Sequence, residues 1–135
     1  MAEVLILEDD TFSALALSSL LEAEGHKVAN FSSSEAALES GCCRVPDVLV
    51  ADWSVDGSIA SADVARQFRR INPAMRVVFV TGHEIKDIKE RVCDLEPCDV
   101  LSKPLDFEQF LATVIRSEES RSNDWLRPES FTRLA

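Results

Sequence analysis

Three short apolar runs, each ended by a polar residue, are the clearest pattern in the sequence. They cover residues 4–7, 48–51 and 77–80, and they stop at Glu8, Asp52 and Thr81, respectively. The apolar residues within each run are consecutive rather than alternating, which is typical of strands covered on both faces of a parallel sheet. Weaker runs at residues 27–31 and 99–101 predict two further strands.

Longer amphipathic segments separate these runs and predict helices. The predicted helices cover residues 11–24, 32–40, 61–71, 84–95 and 106–116. Gly25 is a stop signal after the first helix, and Asp106 is an N-cap candidate for the last. Ser32 and Glu35 form a capping-box pattern at the start of the second helix. The residues expected to face the core are Phe12, Leu15, Leu20 and Leu21 on the first helix, and Phe107, Phe110, Leu111 and Val114 on the last.

Strands that alternate with helices predict an α/β fold, in which a doubly wound parallel sheet carries helices on both faces. The five strands and five helices fit within one domain, expected over residues 1–117. Residues 118–135 form a separate, mainly polar tail, which also carries Trp125, Leu126, Phe131 and Leu134. Exposed aromatic side chains need a reason, so this tail is either a frayed end or a docking segment.

Composition and charge argue against several classes of function. The 135 residues include 24 acidic and 14 basic side chains, which gives a formal charge of −10. A chain this acidic is a poor match for the phosphates of nucleic acid or for an anionic membrane surface. No apolar stretch approaches the roughly 18 residues that a membrane span needs, and the amino terminus lacks the regions of a signal peptide. We therefore expect a cytoplasmic protein that binds neither nucleic acid nor membrane.

Polar residues with related chemistry follow the predicted strands, at the sheet edge where doubly wound folds bind their ligands. They are Glu8, Asp9 and Asp10 after the first strand, Asp52 after the third, Thr81 after the fourth and Lys103 after the fifth. Converging carboxylates repel one another and favour a bound cation, and an all-oxygen ligand set suits Mg²⁺. A neighbouring lysine and hydroxyl suit the oxygens of a phosphoryl group. The pattern therefore indicates phosphoryl chemistry on a carboxylate.

Four motifs, taken in order along the chain, resemble one protein family. They are Val-Leu-Ile-Leu-Glu-Asp-Asp at 4–10, Pro-Asp-Val-Leu-Val-Ala-Asp-Trp at 46–53, Val-Val-Phe-Val-Thr-Gly at 77–82 and Leu-Ser-Lys-Pro-Leu at 101–105. Together they resemble the receiver domains of bacterial two-component response regulators, over residues 3–117. The resemblance implies a flavodoxin-like (βα)5 fold, with five parallel strands in the order 2-1-3-4-5.

The resemblance also implies a role for each residue at the strand ends. Asp52 corresponds to the phosphoacceptor, which takes a phosphoryl group from a phosphohistidine of a sensor histidine kinase or of a histidine phosphotransfer protein. Thr81 corresponds to a switch hydroxyl, and Lys103 to the counter-ion of the phosphoryl group. Asp10 lies one position beyond the acidic pair and is expected to cap the first helix. The Mg²⁺ ligands implied by the family are Glu8, Asp9, Asp52 and the backbone carbonyl of Ser54.

The sequence departs from the family pattern at three places. Asp56 occupies the usual proline position in the loop after Asp52. Val100 occupies the position of a switch aromatic residue, so coupling from Thr81 to the surface is expected to be muted or to use other residues. No output domain follows residue 117, and we therefore predict a stand-alone, single-domain response regulator.

Such a regulator would signal by contact with a downstream protein, or would act as a phosphate sink that loses phosphoryl groups to water rather than turning over a substrate. The sequence leaves open whether the face formed by the fourth helix, fifth strand and fifth helix makes a homodimer. One alternative is a non-phosphorylated interaction domain of the same fold. Another is a phosphatase of the haloacid-dehalogenase type, which is disfavoured because it needs Asp-x-Asp after the first strand, whereas Asp52-Trp53-Ser54 follows the third.

Overall fold

A parallel five-stranded sheet organises the protein in the computed structural model. The structure describes residues 2–41, 45–54, 60–82 and 84–114. The strands are β1 (Glu3–Leu7), β2 (Lys27–Phe31), β3 (Val48–Asp52), β4 (Arg76–Thr81) and β5 (Asp99–Ser102). Their order across the sheet is β2-β1-β3-β4-β5, and every neighbouring pair is parallel. The predicted flavodoxin-like strand order is confirmed.

Helices connect the strands and cover both faces of the sheet, as the alternating pattern predicts. They are α1 (Thr11–Ala23), α2 (Ser34–Gly41), α3 (Ser61–Ile71), α4 (Ile85–Arg91) and α5 (residues 107–114). One apolar cluster joins the sheet to α1 and α5, and the other joins it to α2, α3 and α4. Among the described residues, no helix combines the length and the apolar character that crossing a membrane requires.

The central strand shows why the apolar runs are continuous. All five residues of β3 are buried. Leu49 and Ala51 pack in the cluster with α2, α3 and α4, whereas Val48 and Val50 pack in the cluster with α1 and α5. Burial of each such aliphatic side chain contributes about 1.5–3 kcal/mol by removing apolar surface from water. Because both faces are covered, neither face of this strand tolerates a polar residue before its carboxyl end.

The rotation of α1 differs from the prediction made from its apolar residues. Phe12 and Leu15, which were expected in the core, are 84% and 57% exposed. Leu21 is buried as predicted, and the rest of the buried side consists of Ala14, Leu17 and Ser18. Positions 14, 17, 18 and 21 follow the i, i+3, i+4, i+7 spacing of a single helical face, and Phe12 and Leu15 lie outside that face. α5 shows a milder case, since Phe110 and Val114 are buried but Phe107 is 48% exposed.

The start of α2 also differs from the prediction. The helix begins at Ser34 rather than at Ser32. The hydroxyl of Ser33 accepts a hydrogen bond from the N–H of Ala36 at 3.2 Å, so Ser33 supplies the cap that the pattern assigned to Ser32.

The helix α4 is shorter than the predicted 84–95. It ends at Arg91, and a single 3₁₀ turn, Cys93–Leu95, follows it. Arg66 of α3 donates one hydrogen bond to the carbonyl oxygen of Arg91 at 3.1 Å and another to Asp94 at 2.8 Å. This tertiary contact takes up a carbonyl at the end of the helix, which the local sequence does not reveal.

Some predictions concern residues outside the described ranges. These are the loop position Asp56, the domain boundary at residue 117 and the tail 118–135.

Candidate functional site

The parallel register of the sheet brings the predicted acidic residues together. Leu7 pairs with Ala51, so the residues that follow them, Glu8 and Asp52, lie side by side at the carboxyl edge. Asp9 extends from the same turn, and ligand oxygens of Glu8, Asp9 and Asp52 all lie within 4.8 Å of one another. Glu8 and Asp52 are each only 6% exposed, whereas Asp9 is exposed. The cluster is therefore anchored in the protein and open to solvent on one side.

Lys103 follows the edge strand β5, and its side chain extends to this cluster. Its ammonium group donates to Asp52 Oδ2 at 2.9 Å and lies 4.0 Å from Glu8 Oε2. The position is set by the backbone, because the N–H of Lys103 donates to the carbonyl oxygen of Thr81 at 2.8 Å. Thr81 ends β4 beside Asp52 and is fully buried. Glu8, Asp9, Asp52, Ser54 and Lys103 thus lie together at this edge, and Thr81 ends the neighbouring strand and contacts Lys103 through its backbone.

The other carboxylate oxygen of Asp52 is held by the backbone. Asp52 Oδ1 accepts a hydrogen bond from the N–H of Ser54 at 3.0 Å. The sequence implied a different role for Ser54, a metal ligand through its carbonyl oxygen, and that role stays a prediction. The anion of Asp52 therefore has a fixed orientation, with one oxygen on the lysine and one on an amide.

Two further residues, Asp10 and Ser61, shape the site, and only Asp10 had a predicted role. Asp10 caps α1 as expected, because its carboxylate accepts the N–H of Phe12, and its own N–H donates to Glu8 Oε1 at 3.1 Å. Ser61, at the start of α3, was not singled out. Its buried hydroxyl donates to the carbonyl oxygen of Asp52 at 3.0 Å and so ties α3 to the end of β3. A serine at a predicted helix start was the only sequence signal for this contact.

The pKa values of Glu8, Asp52 and Lys103 are each shifted from their ordinary values, and the neighbours of each group decide the direction. Burial raises the pKa of Glu8 to about 7, and the neighbouring Asp52 adds to this rise. Burial also opposes the ionisation of Asp52, but the hydrogen bonds from Lys103 and from the N–H of Ser54 outweigh it and lower its pKa. Asp52 and Glu8 together hold the pKa of Lys103 above its ordinary value, against the effect of burial. Asp52 is thus the carboxylate that stays ionised near neutral pH.

The donor set fits a hard divalent cation. Three carboxylates contribute oxygen atoms, and no histidine or cysteine belongs to this cluster of the described residues. Mg²⁺ prefers such oxygen ligands and keeps several of its waters, which leaves room for a further ligand. The raised pKa of Glu8 supports the same conclusion, because it reflects buried negative charge that a cation would stabilise.

A Lys103→Met variant is expected to be less stable than the wild type in metal-free buffer at pH 7. The change removes the cation that is bonded to the buried Asp52 carboxylate. We expect a loss of about 1–2 kcal/mol in the free energy of unfolding, less than for a fully buried pair because the lysine side chain is 41% exposed.

Urea denaturation measures this loss, with Lys27→Met on the exposed edge strand β2 as the matched control. Millimolar Mg²⁺ should restore much of the stability of the Lys103→Met variant, because a cation then faces the carboxylates again. Equal stability of the two variants without metal would contradict the electrostatic account of Lys103.

The sequence, compared with family models, matches the response regulator receiver domain over residues 4–115. The chain belongs to the response regulator receiver domain family. The match covers all of the sheet except Glu3, and all of the site described above. It is consistent with the strand order and with the position of the acidic cluster at the carboxyl edge.

Individual receiver-containing proteins resemble the chain in sequence and in structure. It is 29% identical to nodulation protein W of Bradyrhizobium diazoefficiens over 118 residues, and 28% identical to the transcriptional regulatory protein ZraR of Escherichia coli O157:H7 over 112 residues. Among solved structures, a response regulator receiver protein from Sinorhizobium medicae superimposes with a TM-score of 0.81 at 25% identity. That structure covers 88% of this chain, and this chain covers 95% of it.

The sequence relatives are longer than this receiver domain. The match to nodulation protein W includes 87% of this chain but only 52% of that protein. The match to ZraR includes 83% of this chain but only 25% of that protein. The shared part is the receiver domain, which functions in phosphorylation-based signalling.

The receiver domain has an aromatic contact next to its acidic site. Val100 is 7% exposed and pairs in register with Phe79 of β4. The half-buried ring of Trp53 packs edge-to-face on Phe79, with ring centroids 5.5 Å apart. Since Trp53 directly follows Asp52, its indole is an intrinsic reporter of changes at the site.

Proposed function

We propose that this receiver domain accepts a phosphoryl group on Asp52 from a phosphohistidine of a sensor histidine kinase or of a histidine phosphotransfer protein. The main support for the proposal is that the Asp52 carboxylate is both ionised and held in one orientation. Its carboxylate is kept ionised by Lys103 at 2.9 Å and oriented by the N–H of Ser54 at 3.0 Å. An ionised, oriented carboxylate at the open edge of a sheet is a suitable nucleophile.

In the proposed reaction an Asp52 oxygen attacks the phosphorus atom, and the bond from phosphorus to the imidazole nitrogen breaks. The electron pair of that bond stays on the leaving nitrogen. Lys103 transfers its hydrogen bond from the carboxylate to an oxygen of the phosphoryl group, which develops charge in the transition state. The hydroxyl of Thr81 supplies a second donor for the same group. We assign Glu8, Asp9, Asp52 and the carbonyl oxygen of Ser54 as ligands of Mg²⁺, which when bound neutralises the charge of the phosphoryl oxygens.

The phosphorylated domain would then signal by contact with a downstream protein, or would act as a phosphate sink by losing the phosphoryl group to water. We propose a cytoplasmic location for the receiver domain, as the sequence predicts, with no role of this domain in binding nucleic acid. The face formed by α4, β5 and α5 is the candidate surface for a homodimer. Contacts of Thr81 and Lys103 with the phosphoryl group would favour one conformation of β4 and β5 over another. A partner protein could then bind one of these conformations more tightly than the other.

Phosphorylation with a small-molecule donor tests the proposal. The wild-type protein is incubated with acetyl phosphate and Mg²⁺, and intact mass spectrometry is expected to show addition of one phosphoryl group. Peptide mapping should locate the group on Asp52, and chelation of Mg²⁺ should prevent its addition. If no Mg²⁺-dependent addition occurs, the non-phosphorylated interaction domain becomes the better interpretation.

A further inference from the structure

A groove runs along the acidic site, between α1 and the segment that connects β5 to α5. It encloses about 490 Å³, and its walls include Phe12, Ala16, Leu105 and Phe107. Glu8 and Lys103 form its end nearest the acidic site. The groove is therefore apolar along its length and charged where it meets Asp52.

Two phenylalanine side chains on this groove are exposed to a degree that is unusual for their size. Phe12 of α1 is 84% exposed and Phe107 of α5 is 48% exposed. Leu15, one turn further along α1, is 57% exposed. Neighbouring apolar side chains that remain in contact with water are typical of a surface that another segment covers.

We propose that residues 125–134 of the same chain bind in this groove. The segment contains four large apolar residues, Trp125, Leu126, Phe131 and Leu134. An aromatic side chain buries about 150–250 Å² when it is covered, so the two aromatic residues alone would shield much of the exposed phenylalanine surface.

The charge of the segment complements that of the groove. Arg127 and Arg133 lie beside the apolar residues, against a single acidic residue, Glu129, within 125–134. The groove is lined by two carboxylates, Glu8 and Asp10, and by one lysine, Lys103, and Asp10 is the exposed carboxylate. The arginines would therefore face Asp10, away from Lys103, while the aromatic side chains contact Phe12 and Phe107.

The chain between α5 and the segment is long enough for the segment to reach the groove. The helix from residue 107 to residue 114 leads away from the groove by about 10 Å at 1.5 Å per residue. Residues 115–124 can span up to about 33 Å when extended, which is several times that distance. Because both partners belong to one chain, their effective concentration is about millimolar, and even a weak contact would be well populated.

The bound segment would compete with a protein that presents a phosphohistidine to Asp52. Such a protein must contact the rim formed by Asp10, Phe12 and Lys103, which the segment covers. A small phosphodonor needs no such contact. This consequence, unlike the binding itself, rests on the proposed function of Asp52.

The fluorescence of Trp125 tests the binding. The sequence contains two tryptophans, so a Trp53→Phe background leaves Trp125 as the only emitter. We expect blue-shifted emission and weak quenching by acrylamide. Adding Phe12→Ser should shift the emission to the red and raise the quenching constant to that of free tryptophan. The matched control is Ile71→Ser, because Ile71 is also an exposed apolar residue, at 66%, but lies on α3.

Three results would overturn the proposal. One is emission of Trp125 like that of free tryptophan before any change to the groove, and a second is an equal effect of Phe12→Ser and Ile71→Ser. The third is protection of Trp125 that disappears on dilution, because that would assign the groove to a second copy of the chain.

Phosphotransfer separates this inference from the proposed function. A Trp125→Ser variant should accept phosphoryl groups from a histidine kinase faster than the wild type, by about tenfold if the segment covers the groove nine-tenths of the time. The rate with acetyl phosphate should not change, and an equal increase with both donors would contradict competition. If neither donor phosphorylates the wild type, the proposed function fails, while the fluorescence result still decides whether the segment binds.

Discussion

An Asp52→Asn variant is expected to accept no phosphoryl group from acetyl phosphate or from a histidine kinase. The amide has nearly the shape of the carboxylate but carries no anionic oxygen to attack phosphorus. It also ends the ion pair with Lys103, which lies 2.9 Å from Asp52 Oδ2 in the wild type. We expect a loss of at least about a thousandfold in the rate of acceptance, since removal of a nucleophile has effects of that size or larger.

Intact mass spectrometry after incubation with donor and Mg²⁺ measures this loss. The matched control is Asp47→Asn, at the opposite end of β3, where the side chain accepts the N–H of Glu3 at 3.0 Å. An amide oxygen can still accept that bond, so this control should retain both its fold and its phosphorylation. A phosphoryl group found on the Asp52→Asn variant would show that another residue is the acceptor.

A Glu8→Gln variant is expected to be more stable than the wild type at pH 8 without metal, and to lose most of its stabilisation by Mg²⁺. The pKa of Glu8 is raised from 4.5 to about 7 in the folded protein. Between these values the folded state binds more protons than the unfolded state, so the free energy of unfolding of the wild type falls as the pH rises through this window. The folded state then holds a second buried carboxylate beside Asp52 at pH 8.

Glutamine has no charge to lose, so the variant should not show this decline. We expect it to exceed the wild type by on the order of 1–3 kcal/mol at pH 8 and to differ little at pH 4.5. The amide fits the site, because its oxygen can accept the N–H of Asp10 and its NH₂ group can donate to Asp52. Lys103 remains as the counter-ion in both proteins, and Asp9 is exposed.

Urea denaturation at pH values from 4.5 to 8, with and without Mg²⁺, measures the difference. The control is Glu39→Gln on the exposed side of α2, which should change neither the pH profile nor the response to Mg²⁺. In the wild type, Mg²⁺ at a hundred times its dissociation constant should add about 2.7 kcal/mol. If the metal stabilises the Glu8→Gln variant equally, Glu8 is not a ligand.

The strand ends were the most predictable part of the molecule. The apolar residues of β1 and β3 are followed directly by Glu8 and Asp52. The change occurs because each strand is buried on both faces until it reaches the carboxyl edge of the sheet, where the site opens to solvent. Parallel pairing then brings such residues together whatever their separation along the chain, as it does for Lys103 and Asp52. A pattern of single residues therefore sufficed to predict which groups meet.

Helix orientation was less predictable. The prediction placed Phe12 in the core because it gave weight to the large apolar side chains of α1. The buried face is instead the one that carries Ala14 and Ser18 with Leu17 and Leu21, and Phe12 lies on the opposite side of the helix. The carbonyl oxygen of Arg91 at the end of α4 is bonded to Arg66 of α3, a tertiary contact that the local sequence does not reveal.

By itself, the sequence determined the order of strands and helices, the parallel sheet and the set of residues at its carboxyl edge, because burial on two faces and solvent at the strand ends leave a local pattern. Only the tertiary structure decided the states of these residues. Whether Asp52 is ionised and Glu8 is easily protonated depends on which of them Lys103 and the N–H of Ser54 contact, and these distances arise from three different strands. The groove beside Phe12 is also a tertiary feature, since it forms between α1 and the segment that connects β5 to α5, which are distant in sequence.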